Sequence, residues 1–314
     1  MNYIVLDLEW NQGSGSSSSA ANLLFEIIEI GAVKYNQDFK KIGTYQKLIK
    51  PKVHKKIHPI ITNITGLTDR DFSYEKDFKY VIKEFLRWCG QDYVFCTFGT
   101  QDLYELQCNA EYNGVELPFT YPMKYIDVQR IFSIEHPEIH EQKSLESLVK
   151  FYSIKQNKIY HRALGDALYT GEVLKCLNSD EFFKYMSLDY YTHPETEKEA
   201  LDIDLGSHKE YISILYDSKD ELLKSTKIYI TRCLECGKKC RKKTKWFSDT
   251  SKYLCIAKCE THGYIEGQLV IKKQHNTDKY FAVRKVFMID EEKKSYVEAR
   301  KEAIKEKRRL KRQK

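Results

Sequence analysis

Two acidic side chains, Asp7 and Glu9, stand one residue apart at the end of an apolar stretch in MNYIVLDLEW. The apolar residues 3–6 predict a buried strand, and alternate residues of a strand point to the same face. The two carboxylates should therefore lie side by side, where each raises the pKa of the other. Most acidic pairs of this kind are solvated surface. The end of a buried strand instead favours a cation site, because Mg²⁺ and Mn²⁺ prefer carboxylate oxygens as ligands.

Three further residues could complete such a site. Asp102 follows an apolar stretch at residues 93–99 and falls in the first turn of a predicted helix, and Asp166 lies within a later predicted helix. His161 precedes Asp166 by five positions, which in a helix separates two side chains by about 140°. We therefore expect His161 at the entrance of that helix or in the loop before it, free to turn towards a site that Asp166 supports.

The elements that must position these residues predict an α/β domain with a mixed sheet, because three strands come first and strands then alternate with helices. Strands are expected at residues 3–8, 25–35, 44–49, 93–99 and 124–132. Helices are expected at residues 71–90, from 101, at 144–152 with Ser144 as the N-cap, and at 161–177. Residues 13–22 (GSGSSSSAAN) predict a flexible, low-complexity loop.

The order of these residues resembles the three-motif signature of the DEDDh exonucleases, the superfamily of DnaQ-like proofreading subunits and RNase T-like enzymes. The motifs are Asp7-x-Glu9, Asp102 after a strand that ends in Gly, and His161-x4-Asp166. The resemblance covers residues 1–178 and is closest to the branch of histone-mRNA and small-RNA exonucleases and bacterial KapD-like proteins. It implies an RNase H-like mixed sheet flanked by helices. It also implies 3′→5′ hydrolysis of single-stranded nucleic acid, with RNA favoured over DNA.

The resemblance also implies a role for each residue. Two Mg²⁺ or Mn²⁺ ions per active site would be bridged by Asp7, and Glu9 and Asp166 would complete the ion that binds the water. Asp102 would act mainly through an ordered water. His161 would take the proton of the nucleophilic water, a role that suits a side chain titrating near neutral pH. Trp10 stands where many members have Thr, so it is a candidate substrate contact whose part in holding the terminal nucleotide stays open.

Other acids are expected to be structural. Glu26 and Glu29 fall on the second strand, where Glu29 matches a position that is structural in the family. Asp127 is expected at a strand end near the site.

Five of the nine cysteines crowd into 27 residues. Cys233 and Cys236 form a C-x2-C followed by Gly, and Cys259 and His262 repeat the pattern with His in the last place. These four residues predict a closed, structural zinc site. Cys240 and Cys255 are spare thiols, and either could replace His262. The alternative is a set of thiols that bind no metal.

The segment between the two halves (KKCRKKTKWFSDTSKY) carries six basic residues from Lys238 to Lys245, followed by aromatic residues. Cations for phosphates beside rings for bases are what a single-strand binding surface needs. The candidates are Lys242, Lys243, Trp246 and Phe247. A solvated basic loop whose aromatic rings pack inwards is the competing interpretation.

Charge divides the chain of 314 residues into unlike parts. Residues 1–200 carry 23 Lys and Arg against 28 Asp and Glu, whereas the remainder carries 29 against 17. We expect an exonuclease domain at 1–178, a connector at 179–205, a small β-rich zinc-ribbon-like basic domain at 206–290, and a basic helical tail at 291–314. The basic part favours a polyanionic partner. No apolar run is long enough for a membrane span and no signal peptide is recognised, so a cytoplasmic protein is expected.

Two other classes of function compete with a catalytic exonuclease. One is a non-catalytic nucleic-acid-binding protein that keeps the fold as a scaffold, and the presence of all five site residues argues against it. The other is an auxiliary proofreading-type subunit, for which no partner-binding segment is recognisable. The sequence identifies no protein partner.

Overall fold

The computed structural model describes residues 1–13, 23–119, 121–139, 141–156, 160–178, 180, 182–200, 202–274 and 277–312. The predicted Ser-rich loop lies, from residue 14 onwards, outside the described residues. The chain divides into two compact units, Met1–Tyr190 and Tyr191–Lys314.

The first unit is built on six strands and six helices within its described residues. The strands are β1 (Asn2–Gln12), β2 (Phe25–Tyr35), β3 (Lys41–Leu48), β4 (Tyr93–Thr97), β5 (Lys124–Asp127) and β6 (Ser187–Leu188). The helices are α1 (Pro59–Thr65), α2 (Phe78–Cys89), α3 (Gln101–Tyr112), α4 (Val128–Glu135), α5 (Leu145–Phe151) and α6 (Ala163–Cys176).

These six strands form one mixed sheet in the order β3-β2-β1-β4-β5-β6. Strand β1 lies between β2, with which it pairs antiparallel, and β4, with which it pairs parallel. Apolar residues of β1 such as Ile4 and Leu6 are fully buried and pack in one cluster with Ile82 and Phe85 of α2. The predicted α/β fold with a mixed sheet is confirmed, and β1 is a buried strand as expected.

The prediction of a strand over residues 124–132 was wrong beyond Asp127, where α4 begins. The side chain of Asp127 caps this helix by accepting a hydrogen bond from the main-chain N–H of Arg130 at 3.1 Å. Val128, Ile131 and Phe132 are buried with helical spacing. A short apolar run fits either a strand or a helix. The N-cap hydrogen bond of Asp127 stabilises the helix here. The predicted N-cap Ser144 is confirmed by its 3.2 Å bond from the N–H of Ser147.

The second unit is built on another six-stranded sheet in the order β7-β8-β12-β11-β10-β9, antiparallel throughout. Its strands are β7 (Asp202–Asp204), β8 (Lys209–Ile212), β9 (Arg241–Asp249), β10 (Lys252–Cys259), β11 (Gly263–Lys273) and β12 (Tyr280–Ile289). Its helices are α7 (Lys219–Lys224) and α8 (Glu291–Arg312). The alternating sequence KIYITRC at residues 227–233 predicts a short strand, but Lys227–Tyr229 form a 3₁₀ turn. The basic segment between the two cysteine pairs is largely β9, so its interpretation as a solvated loop is corrected as well.

Helix α8 packs on one face of this sheet. Val297 is buried against Leu254 and Ile256 of β10. Arg300 donates to the carboxylate of Asp249 on β9 at 3.0–3.2 Å. The predicted basic C-terminal helix is therefore present, and it belongs to the second unit. No helix in the described part of the chain is long and apolar enough to cross a membrane.

Candidate active site and metal centre

Strand β1 presents Asp7 and Glu9 where its pairing with β4 has ended. The parallel ladder to β4 runs only as far as Val5, whereas the antiparallel ladder to β2 continues through both acids. The register then shifts between Glu9 and Trp10, which marks a bulge. The two carboxylates therefore lie at an open end of a central strand, half-buried rather than solvated.

The first turn of α6 brings Asp166 to the same place. Asp7 pairs with Gly31 of β2, and a Cβ built on Gly31 would lie 2.0 Å from the main-chain carbonyl carbon of Ala163. The start of α6 thus rests directly on β2, at a point where only glycine fits. As a result, one carboxylate oxygen from each of Asp7, Glu9 and Asp166 lies within 4.8 Å of the other two.

An ion pair holds the entrance of α6 in this position. Arg162 donates through Nε and a terminal nitrogen to the two oxygens of Glu29 at 2.9 and 2.8 Å. Glu29 is fully buried, lies opposite Glu9 in the ladder, and also accepts from Gln46 at 2.6 Å. The expectation that Glu29 is structural fits this arrangement. Arg162 was not singled out from the sequence, and its position beside His161 was the available signal.

Asp102 occupies the first turn of α3 and is buried. Its Oδ1 accepts a hydrogen bond of 3.0 Å from the main-chain N–H of Leu8, the residue between Asp7 and Glu9. Asp102 is not one of the three residues whose oxygens lie within 4.8 Å of one another. Its carboxylate thus anchors β1 while adding negative charge near the cluster.

Burial and mutual repulsion make the four carboxylates hard to ionise together. Burial, followed by the charges of Asp102, Asp166 and Glu9, raises the pKa of Asp7 well above its usual value. Burial and the charge of Asp166 raise the pKa of Glu9 to about 8, and burial raises that of Asp102 to about 7. The pKa of Asp166 is also raised by burial. Hard oxygen donors crowded in this way fit a divalent cation, which would replace the protons.

His161 lies in the turn before α6, as the spacing predicts, and is exposed. Its main chain adopts a left-handed conformation with φ 59°. Its N–H donates to Oδ2 of Asp166 at 2.8 Å. The backbone of His161 thus fixes the carboxylate, while the imidazole projects from a turn next to the cluster.

The remaining acids have structural partners. Glu26 accepts hydrogen bonds from the main-chain N–H groups of Lys52, Val53 and His54 at 2.6–3.1 Å, which holds that loop. Asp127 caps α4 and also accepts from the N–H of Gly99. Neither belongs to the carboxylate cluster found among the described residues.

Trp10 follows the bulge and is half-buried. Its ring centroid lies 5.9 Å from that of Phe25, and the indole packs against the core of the first unit. The side chain is therefore held in place next to Glu9 with part of its surface open.

The four predicted zinc ligands come together in the second unit. Sγ of Cys233 lies 3.5 Å from Nδ1 of His262, Sγ of Cys236 lies 3.7 Å from Sγ of Cys259, and all four ligand atoms lie within 4.8 Å of one another. Main-chain N–H groups of His262 and Thr261 lower the pKa of the Cys259 thiol to about 6, which favours a thiolate. Three sulfurs and one imidazole nitrogen fit tetrahedral Zn²⁺.

The two spare thiols stand outside this group. Cys240 donates to the main-chain oxygen of Lys238 at 3.4 Å, and burial raises its pKa to about 11. Cys255 is fully buried on β10, and burial raises its pKa to about 12. Neither is in the cluster of four found among the described residues.

The predicted basic surface is divided between two faces of β9. Trp246 and Lys242 line a groove on one face, whereas Phe247 packs against Leu254 and Val297 under α8 on the other. The grouping of Phe247 with Trp246 is therefore corrected, because adjacent strand residues point to opposite faces. Lys243 is exposed but does not line the groove.

A mixed sheet with carboxylates gathered at the end of its central strand is suited to divalent cations, which nucleases and phosphatases use to hydrolyse phosphodiester bonds. The sequence model of the RNase T exonuclease family matches residues 4–174, which is more than half of the chain, and the chain belongs to this family. It is therefore an exonuclease, an enzyme that hydrolyses phosphodiester bonds of nucleic acids. The predicted family is confirmed.

Individual proteins are similar to part of the chain. The DNA polymerase III subunit epsilon of Aquifex aeolicus is 26% identical over 199 residues, 62% of this chain and 90% of that protein. The nuclease domain of 3′hExo, a DEDDh family member solved with bound rAMP, has a TM-score of 0.52 at 17% identity. It covers 60% of this chain and 96% of its own. Cell-death related nuclease 4 has a TM-score of 0.49 at 17% identity and covers 63% of this chain and 73% of its own.

Proposed function

We propose that the protein is a metal-dependent exonuclease that removes nucleotides from the 3′ end of single-stranded nucleic acid, with RNA favoured over DNA. The observation that supports it best is the convergence of carboxylate oxygens from Asp7, Glu9 and Asp166 within 4.8 Å. The preference for RNA rests on the resemblance to the branch of histone-mRNA, small-RNA and KapD-like proteins. We also place the protein in the cytoplasm, where clustered thiols stay reduced and available for zinc.

Asp7, Glu9 and Asp166 are proposed to be the residues that would hold two Mg²⁺ or Mn²⁺ ions. When bound, the cations would stabilise charge on the attacking and leaving oxygens and would lower the pKa of the attacking water. Asp102 keeps β1 in position through Leu8, and it is proposed to act on the site mainly through an ordered water.

His161 is proposed as the general base. Its main chain is tied to Asp166 and its imidazole is exposed, so the ring can meet a water beside the cluster. It accepts a proton from that water as the water attacks phosphorus and the bond from phosphorus to the 3′ oxygen of the preceding nucleotide breaks. That oxygen takes a proton from solvent, and the terminal nucleotide leaves as a 5′-monophosphate. Trp10, rigid beside Glu9, is proposed to contact the terminal nucleotide.

Zinc is proposed to have a structural role. Cys233, Cys236, Cys259 and His262 leave no ligand position for a substrate, which is typical of structural sites. The competing functions are a non-catalytic binding protein and an auxiliary subunit. The complete carboxylate set and its raised pKa values count against the first.

The experiment is digestion of 5′-labelled single-stranded RNA and DNA of one sequence, with Mg²⁺, Mn²⁺ or neither, resolved by length. We expect a ladder that shortens from the 3′ end, needs a divalent cation and forms faster on RNA. Asp7→Ala, Glu9→Ala and Asp166→Ala should each abolish it in a folded protein, while Glu116→Gln, a change at an exposed acid, should not. Full activity of Asp7→Ala would overturn the metal site, and equal rates on the two strands would overturn the preference for RNA.

A further inference from the structure

The second unit contains a groove of about 610 Å³ that lies outside the region matched by the exonuclease family. Its aromatic lining comes from Tyr229, Trp246 and Tyr253, and three lysines, Lys239, Lys242 and Lys245, stand around it. This volume falls within the range of about 300–1,000 Å³ that is usual for ligand sites. The groove is thus large enough for a nucleotide.

The aromatic rings are held in place and still partly open. The indole N–H of Trp246 donates to the main-chain oxygen of Tyr229 at 3.3 Å, and the hydroxyl of Tyr229 donates to the main-chain oxygen of Leu223 at 3.2 Å. The indole lies so close to β11 that a Cβ on Gly267 would meet it at 2.8 Å. All three aromatic residues of the groove are half-buried. Fixed, half-exposed rings of this kind are suited to stacking with planar groups.

Three exposed lysines supply positive charge beside the rings. Lys239, Lys242 and Lys245 are exposed, and none forms an ion pair with a carboxylate in the part of the chain that the structure describes. Lysines on an edge strand such as β9 also discourage association between sheets. Protection of a sheet edge does not require an aromatic groove beside the lysines. A ligand with a planar ring and a phosphate would contact both the aromatic lining and the lysines.

The cysteine cluster braces one wall of the groove. Lys239 pairs with Arg232 in an isolated β-bridge, and the N–H of Cys233 donates to the oxygen of Lys238 at 2.9 Å. The N–H of Cys240 donates to the oxygen of Thr231, also at 2.9 Å. The segment that carries Lys239 is therefore folded around the residues that would hold zinc.

We propose that this groove is a second nucleic-acid site, in which an unpaired base of a single strand stacks on the aromatic rings while the lysines contact the flanking phosphates. This proposal rests on the proposed function in one respect, namely that the bound strand is the substrate of the exonuclease. A second site of this kind gives the enzyme affinity for strands longer than the nucleotides at the cleavage site. It also explains why the acidic first part of the chain is joined to a strongly basic second part.

The test measures binding of the full-length protein to a 5′-labelled 20-nucleotide single strand by fluorescence anisotropy. The buffer holds no Mg²⁺ or Mn²⁺, so the result does not depend on hydrolysis. The variant pair Lys242→Glu/Lys245→Glu is compared with the matched pair Arg241→Glu/Lys243→Glu. The matched pair makes the same charge change at exposed residues of β9 that do not line the groove.

We expect the groove pair to weaken binding at least about tenfold more than the matched pair. It should also lower the slope of log affinity against log salt by about 1.4, that is about 0.7 for each of two lost phosphate contacts. An abasic strand of equal length should bind about fivefold or more weakly than the base-containing strand, which is the effect of one lost stacked base. Equal effects of the two pairs, or equal affinity for the abasic strand, would overturn the proposal.

Tryptophan fluorescence tests the placement of the base. The chain has three tryptophans, and the strand should quench an emission that disappears in Trp246→Phe. A free mononucleotide should quench only at much higher concentration, and tight binding of the mononucleotide would make the groove a site for released nucleotides instead. Weak binding by the groove pair together with normal 3′ shortening of a dinucleotide would separate this site from the catalytic one. If the unmodified protein bound the strand but gave no 3′ ladder, the result would instead count against the proposed function.

Discussion

Asp102 of α3 and Leu8 of β1 are joined by a 3.0 Å hydrogen bond in which the main-chain N–H of Leu8 donates to the buried carboxylate. The bond takes the place of a ladder contact, because β4 pairs with β1 only as far as Val5. One side chain therefore both orients the strand that carries Asp7 and Glu9 and adds charge to the site.

These two contributions of Asp102 can be separated by substitution. Asp102→Asn keeps an oxygen for the N–H of Leu8, so we expect no loss of stability but strongly reduced hydrolysis, since the charge is lost. Asp102→Ala leaves that N–H without a partner and should lower the free energy of unfolding by about 1–3 kcal/mol. Urea unfolding and 3′ digestion of the two variants measure this. An active Asp102→Asn enzyme would show that the charge is not required.

Without divalent cations, the protein should become less stable as the pH rises. The pKa of Glu9 is raised from 4.5 to about 8, and that of Asp102 to about 7. Between about pH 4.5 and 8 the folded chain therefore holds protons that the unfolded chain has released, so unfolding becomes easier as the pH rises. Mg²⁺ should raise the melting temperature more at pH 8 than at pH 5.

Thermal unfolding after gel filtration into Mg²⁺-free buffer measures this pH dependence and leaves a tightly bound zinc in place. Glu9→Gln should be more stable than the unmodified protein at pH 8 without Mg²⁺ and should respond less to added Mg²⁺. Glu116→Gln, at an exposed acid, is the control. A melting temperature that rises from pH 5 to pH 8 would contradict the raised pKa values.

The imidazole of His161 can be removed without disturbing the turn that carries it. His161 has φ 59°, a conformation that Asn tolerates better than Ala. We expect His161→Asn to slow hydrolysis by about 10²–10⁴-fold while its backbone N–H still binds Asp166. The concentration of Mg²⁺ that gives half-maximal stabilisation should stay unchanged. A parallel loss of Mg²⁺ binding would make His161 a metal ligand instead of a base.

The zinc site predicts one Zn²⁺ per chain. Cys259→Ala and His262→Ala should lose zinc and lower the melting temperature, because metal binding and folding are coupled in sites of this type. Cys255→Ala should retain zinc, since Cys255 is buried outside the cluster. Zinc content by atomic emission and thermal unfolding measure both effects. If His262→Ala retained zinc and Cys255→Ala lost it, Cys255 and not His262 would be the fourth zinc ligand.

The periodicity of strands and helices accounts for most of the features that the sequence predicts correctly. The period of two along β1 places Asp7 and Glu9 on one face, and the count of five residues puts His161 outside the helix of Asp166. The two residues of the C-x2-C pair, and those of the C-x2-H pair, are close enough in the chain for a single turn to bring their side chains together. These features depend on neighbours in the chain, so the sequence alone specifies them.

Contacts between distant segments decided the rest. Asp166 can approach Asp7 because Gly31 has no Cβ and so allows the backbone of Ala163 to pack against it. Gly31 and Ala163 are 132 positions apart in the chain. Adjacent residues Trp246 and Phe247 were separated because α8 covers one face of the second sheet and leaves the groove on the other. Such choices depend on which surfaces are buried against each other, a property of the packed chain that no local pattern encodes.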